Sequence, residues 1–294
     1  MSLTVFANFR IDSQERLQRM KDSFESFAKS NIDKWVINAR GQYGSDALAY
    51  LEKNLGNKLI PFYLESKKGW MFDSRMMFQS IHSDYVFFWI EDHICTCGIE
   101  RLNEVFGDVK LSGLDYIGYS WFGMGRFLSQ FEYIPCIKYG ALSYYIYDTK
   151  VNNIRQNNSI IDIGKKSYII SACGIFSRSF FLRMLSCNRP RLRRWPKETP
   201  FDFEKRWDDV FLLPIKYGVP NYELFSAIDD DNVYPGSSLF SRGMYPIRVK
   251  RAEMLAIRES ASSIRRFKEI RKLLLSLRIV KFFWSFCKRL SYHF

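Results

Sequence analysis

The chain is 294 residues long, 47% hydrophobic and 17% aromatic. That composition supports a sizeable core in one large domain, or one domain with an appendage, and excludes a globally disordered chain. Lys and Arg (44) outnumber Asp and Glu (31), and the formal net charge of +13 calls for an anionic partner: phosphate, nucleic acid or a membrane surface.

Leu3–Phe9 is a short apolar strand, and Ser13 opens a helix on which Leu17, Met20, Phe24 and Phe27 recur at helical spacing. Asp33–Ala39 is a second strand. The loop Arg40–Gly44 follows, and Ser45 is expected to cap a helix running to Leu55. Lys58–Leu64 is a third strand, and its Pro61 marks an edge or a bulge. Gly69–His82 is a third helix. Tyr85–Ile90 is an unbroken apolar run, too short to span a membrane and too evenly apolar for a half-exposed strand. It ends abruptly in Glu91-Asp92-His93. The four strand–helix alternations predict an α/β fold with a mostly parallel central sheet flanked by helices.

Glu91-Asp92-His93 stands where open α/β sheets place ligands. Its oxygens and imidazole suit Mg²⁺ or Mn²⁺ holding a diphosphate; an ordinary strand end meeting water is the competing reading. No Gly-x-Gly-x-x-Gly follows the first strand and no Gly-x₄-Gly-Lys-Ser/Thr occurs, so dinucleotide and P-loop fingerprints are absent.

Further along, Ile99–Phe106 reads as a helix, and Asp115–Trp121 and Ala141–Tyr147 as strands. Val151–Asn158 is a polar, Asn-rich loop. Tyr168–Phe176 is a strand interrupted by Gly174, and a helix starts at Ser179. Arg189–Lys197 carries five basic residues, and its two prolines forbid a regular helix. Phe201–Tyr217 reads as a helix bearing Trp207-Asp208-Asp209, whereas Asp229–Asp231 and Gly236–Gly243 are loop material.

Ser262–Leu290 is helical by pattern. Within Ser262–Phe294, nine Lys/Arg against one Glu leave a net charge of only +5 for the rest of the chain. Bulky apolar residues (Ile264, Phe267, Ile270, Leu274, Phe283, Trp284) alternate with the basic ones. This is the pattern of a basic amphipathic helix lying on an anionic membrane surface, and packing against the body or in an oligomer is the alternative. Each basic residue near such a surface adds about 1 kcal/mol. Six cysteines lack zinc-type pairing; Cys95-x-Cys97 alone is a weak metal signal, and free thiols fit a reducing cytoplasm. The N-terminus lacks the pattern of a signal peptide, and no apolar run reaches spanning length.

Together these features resemble a GT-A-type glycosyltransferase of the bacterial family 2 kind. The resemblance covers about residues 3–225 and rests on four segments in order. These are strand Leu3–Phe9, the apolar strand ending in Glu91-Asp92-His93 where that class has Asp-x-Asp, Ser171–Phe176, and Trp207-Asp208-Asp209 where it has its catalytic acidic pair. The resemblance implies a catalytic domain over 1–250, with 251–294 as a membrane-association region. It implies a nucleotide-sugar donor, a glycan or lipid-linked acceptor and a divalent metal, Mn²⁺ or Mg²⁺.

It also implies residue roles. Asp92 and His93, supported by Glu91, hold the metal and diphosphate. Asp209 is the base, with Asp208 raising its proton affinity; a helix cap is the alternative for both. Arg10, Asp12, Asn38, Arg40 and Asp73 form the nucleotide pocket. Gly174 admits the acceptor, and Arg193 and Arg194 in the basic loop clamp an acceptor pyrophosphate. Asp229–Asp231 completes the metal site or forms a turn. The expected setting is the cytoplasm, peripheral on the inner face of the plasma membrane. No nucleic-acid partner is expected, because the charge sits in one terminal helix. A nucleotidyltransferase, a non-catalytic basic binding protein and a degenerate membrane scaffold are the rivals.

Overall fold

Leu3–Arg10 forms β1, and every residue but the last is buried, as a strand covered on both faces requires. In the computed structural model, residues 2–118, 135–147, 168–169, 172–186, 198–200, 205–206, 213–230 and 236–246 are described. The chain divides into two compact units, Met1–Met244 and Tyr245–Phe294. All elements below belong to the first.

After β1 come α1 (Gln14–Phe27), β2 (Lys34–Arg40), α2 (Gly44–Leu55), β3 (Leu59–Phe62), α3 (Trp70–Phe78) and β4 (Tyr85–Phe88). Ser13 caps α1, its hydroxyl accepting from Arg16 N at 3.2 Å. The second helix begins at Gly44, one residue earlier than expected, with Tyr43 rather than Ser45 at the cap. A Cβ on Gly44 would meet Ala39 O at 2.5 Å, so this tight strand-to-helix turn demands glycine.

The remaining elements are β5 (His93–Cys95), α4 (Ile99–Ser112), β6 (Tyr116–Gly118), β7 (Cys136–Tyr139), β8 (Leu142–Tyr147), β9 (Tyr168–Ile169), β10 (Gly174–Ser177), α5 (Arg178–Ser186), β11 (Lys205–Arg206), β12 (Ile215–Pro220) and β13 (Phe225–Ala227). One nine-stranded sheet has the order β3-β2-β1-β4-β10-β6-β12-β8-β7. β3, β2, β1 and β4 are parallel; β10 and β8 run against the other strands. The α/β class and the alternation of its first half are as the sequence predicts, and Pro61 lies in the edge strand β3.

Alternating side chains fill both faces. Val5, Ala7, Phe9, Phe87 and Trp89 pack with Leu17, Met20, Phe24 and Phe27 of α1, Leu48 of α2 and Leu102 of α4. Phe6, Val86 and Phe88 pack with Trp70 and Met77 of α3 and Phe180 and Phe181 of α5. Aromatic rings interlock, with Phe27 stacked on Trp35 at 5.3 Å and Phe6 edge-on to Phe181 at 5.1 Å.

Two expectations need correcting. The helix over Phe201–Tyr217 does not form as such: Lys205–Arg206 pairs with Tyr168–Ile169, and β12 begins at Ile215. The buried alternation of Ile215, Tyr217 and Val219 around exposed Lys216 is a strand period, and Pro214 precedes it. The strand expected over Tyr85–Ile90 pairs only to Phe88, although Trp89 N still donates to Phe6 O at 2.9 Å. β7 was not anticipated; it forms a hairpin with β8 around Gly140, whose φ is +53°.

Candidate functional site

β2 and β3 lie on one side of β1, and β4 lies on the other. The order therefore reverses between β1 and β4, and the crevice at their carboxyl ends is the position where open α/β sheets bind ligands. Three of the expected residues, Arg10, Asp12 and Arg40, come to this region from the ends of β1 and β2. Arg10 Nε donates to Asp12 Oδ2 at 2.7 Å, both side chains being about half exposed. Arg40 is buried beneath them. Its Nη1 donates to Asn8 Oδ1 at 2.8 Å and to Phe9 O at 3.3 Å, and its Nη2 donates to Glu198 O. Burial, then the charge of Arg10, lower the Arg40 pKa, while Asp73 and Asp12 oppose that shift.

Asn38 is fully buried, and its amide is engaged on every side. Nδ2 donates to Asn8 Oδ1 and Leu64 O, both at 2.9 Å, and Oδ1 accepts from Leu64 N at 2.8 Å. It thus ties β2 to β1 and to the β3–α3 connection. Asp73, also buried, accepts from Ser66 N at 2.7 Å and braces the same connection, where Ser66 takes a φ of +53°. Asn8, which the sequence reading passed over, organises this cluster; a lone Asn within the apolar run LTVFANF was the available signal.

The other wall is Glu91-Asp92-His93. Glu91 is buried, and Arg16 Nη2 of α1 lies 2.5 Å from its Oε1. Burial raises the Glu91 pKa, and Arg16 pulls against that shift. Asp92 Oδ1 is 2.7 Å from His93 Nδ1. Burial would raise the Asp92 pKa, but its contacts with His93, aided by Arg16 and Arg19, hold it below the usual carboxylate range. β5 pairs with β13, and Ile228 N donates to Asp92 O at 2.8 Å. The next residue, Asp229, accepts from Arg19 Nη1 at 3.0 Å, while Arg19 Nη2 bonds Glu15 at 2.7 Å. Arg16 and Arg19 were missed in sequence; their spacing of three on the helix after β1 was the signal.

Glu91 is paired with Arg16 and Asp92 with His93, and among the described residues no three His, Cys, Asp or Glu side chains come together to hold a metal ion. Gly174 lies in β10 between Phe88 of β4 and Gly118 of β6. A Cβ there would meet Ile117 O and a Tyr116 ring carbon at 3.0 Å, so the sheet's own packing accounts for the glycine. Asp208, Asp209, Arg193, Arg194, Asp231, the basic loop Arg189–Lys197 and the helix over Ser262–Leu290 lie outside the described residues.

No protein-family model and no curated protein matches the chain. Among solved structures, it is similar to residues 1–349 of S. aureus TarS at 15% identity, over 77% of this chain and 60% of that one, with a TM-score of 0.47. The same protein in complex with UDP matches at 13% identity over 80% of this chain and 62% of that one, with a TM-score of 0.46. Its complex with UDP-GlcNAc matches at 10% over 78% and 59%, with a TM-score of 0.44. The chain thus spans about 60% of the length of these structures. With TM-scores below 0.5 the likeness adds nothing to the functional reading, which rests on this chain's own residues.

Proposed function

We propose that the chain is a glycosyltransferase moving a sugar from a nucleotide-sugar donor to a glycan or lipid-linked glycan acceptor, in the building of a surface polysaccharide. One observation carries the reading. Charged side chains from β1, β2, α1 and the β4–β5 turn gather at the carboxyl ends of the parallel strands, where the order of the sheet reverses.

The chemistry asks for a cationic environment for the leaving nucleoside diphosphate and a base for the acceptor hydroxyl. Arg10 and Arg40 supply positive charge on the nucleotide side, with Asp12 orienting Arg10. On the other side Asp92 and His93, held together at 2.7 Å, stand at the diphosphate end in this proposal. Asp209 is the base in this proposal, and attack opposite the leaving group inverts the anomeric centre. The product's anomeric configuration by NMR decides that step, and retention would overturn it. The region 251–294 attaches the protein to the inner face of the plasma membrane; sedimentation of a chain lacking Ser262–Phe294 with anionic vesicles would contradict this.

A thermal-shift series with UDP, GDP, CDP, ADP and CMP, each with and without Mn²⁺, tests the core of the proposal. Selective stabilisation by one nucleoside diphosphate is expected, about 2.7 kcal/mol at a hundredfold excess over its Kd. Little dependence on Mn²⁺ is expected from the donor set described above. Stabilisation by none of them would sink the transferase reading.

A further inference from the structure

The cysteine pair that follows His93 has no part in this chemistry. Sγ of Cys95 and Sγ of Cys97 are 3.7 Å apart, and both residues are partly exposed. Side chains two apart on an extended segment project to the same side. The backbone fixes one member and leaves the other room to adjust. Cys95 ends β5, opposite Phe225, and its N donates to Ser26 Oγ at 2.9 Å. Thr96 N donates to Leu224 O at 2.9 Å. Cys97 lies past the strand, at a bend, before Gly98 with φ +81°. By contrast Cys173 is fully buried.

We propose that Cys95 and Cys97 are a reactive dithiol, a modification site that low-molecular-weight disulfides close to an intrachain disulfide. The sulfurs are already in contact, and rotation of Cys97 at the bend brings them to the bonding distance of about 2.05 Å. One thiolate attacks the reagent disulfide, giving a mixed disulfide and releasing one reagent thiol. The second thiolate attacks the protein sulfur of that mixed disulfide, forms the Cys95–Cys97 bond and expels the second reagent thiol. Two electrons pass from the protein thiols to the reagent, and their two protons leave with the two released thiols. The dithiol stands whether or not the chain transfers sugars.

The sequence makes the test direct, because no Lys or Arg lies between Arg75 and Arg101 and the tryptic peptide Met76–Arg101 holds these two cysteines and no other. Folded full-length protein is treated with glutathione disulfide, blocked with N-ethylmaleimide and digested. The expected peptide is two hydrogens lighter than the reduced form and carries no maleimide. Cys97→Ser is expected to stop at a single glutathione adduct on Cys95. A wild-type peptide bearing two maleimides or two glutathiones overturns the proposal. In parallel, phenylarsine oxide, which bridges paired thiols, is expected to protect both cysteines from alkylation in wild type and to lose that protection in Cys97→Ser. Equal alkylation with and without the arsenical in wild type also overturns it.

Discussion

Arg16 of α1 reaches across to the β4–β5 turn and places its Nη2 2.5 Å from Oε1 of Glu91, whose side chain is 7% exposed while that of Arg16 is 44% exposed. The pair ties the helix after β1 to the acidic turn after β4. Stripping one partner from a fully buried pair costs about 3–5 kcal/mol. Water already screens Arg16, so Arg16→Ala is expected to cost about 1–2 kcal/mol in urea unfolding. Glu91→Gln is expected to cost less, because the exposed guanidinium it leaves behind is solvated. Equal losses from both substitutions would contradict this asymmetry.

The neighbouring carboxylates respond to pH in opposite directions. The folded state lowers the Asp92 pKa, so its contribution is complete above the ordinary carboxylate value of about 3.9 and is lost as pH falls through the lower folded value. The stability advantage of wild type over Asp92→Asn is therefore expected to shrink on acidification. The Glu91 pKa is raised, so its contribution is present at low pH and falls as pH rises through the raised value. Relative to wild type, Glu91→Gln is expected to gain stability over that rise. Denaturant midpoints across pH check both slopes, and parallel curves for the two variants would refute the assignment.

Asn38 sits in the interior with its amide bonded to Asn8 and to both backbone groups of Leu64. Asn38→Ala leaves Leu64 N and O unsatisfied, and a loss of about 1–3 kcal/mol is expected. A change smaller than about 0.5 kcal/mol, the range of surface substitutions, would show that the network contributes little.

Arg10 is the contrasting case, with its side chain 56% exposed and paired only at the surface with Asp12. Arg10→Ala is expected to alter stability by less than about 0.5 kcal/mol. If Arg10 contacts the diphosphate, losing one charge-assisted hydrogen bond weakens binding of the preferred nucleoside diphosphate about tenfold. Calorimetric titration separates the two effects, and unchanged affinity would remove Arg10 from the nucleotide site.

The sequence by itself determined the alternating first half of the sheet, the doubly covered β4, the helical stripe of α1 and, through Pro61, an edge or a bulge at β3. Each is a local matter, because hydrophobic period and turn chemistry report which faces are buried within a few residues. The tertiary structure alone decided that β10 runs backwards between β4 and β6, and that Asn8 rather than Asn38 is the hub beneath Arg40. It also decided that Arg16 neutralises Glu91 and Arg19 meets Asp229. These pairings join residues tens to hundreds of positions apart. Periodicity tells a side chain which way to face, but only the crossover connections and the order of strands bring its partner there.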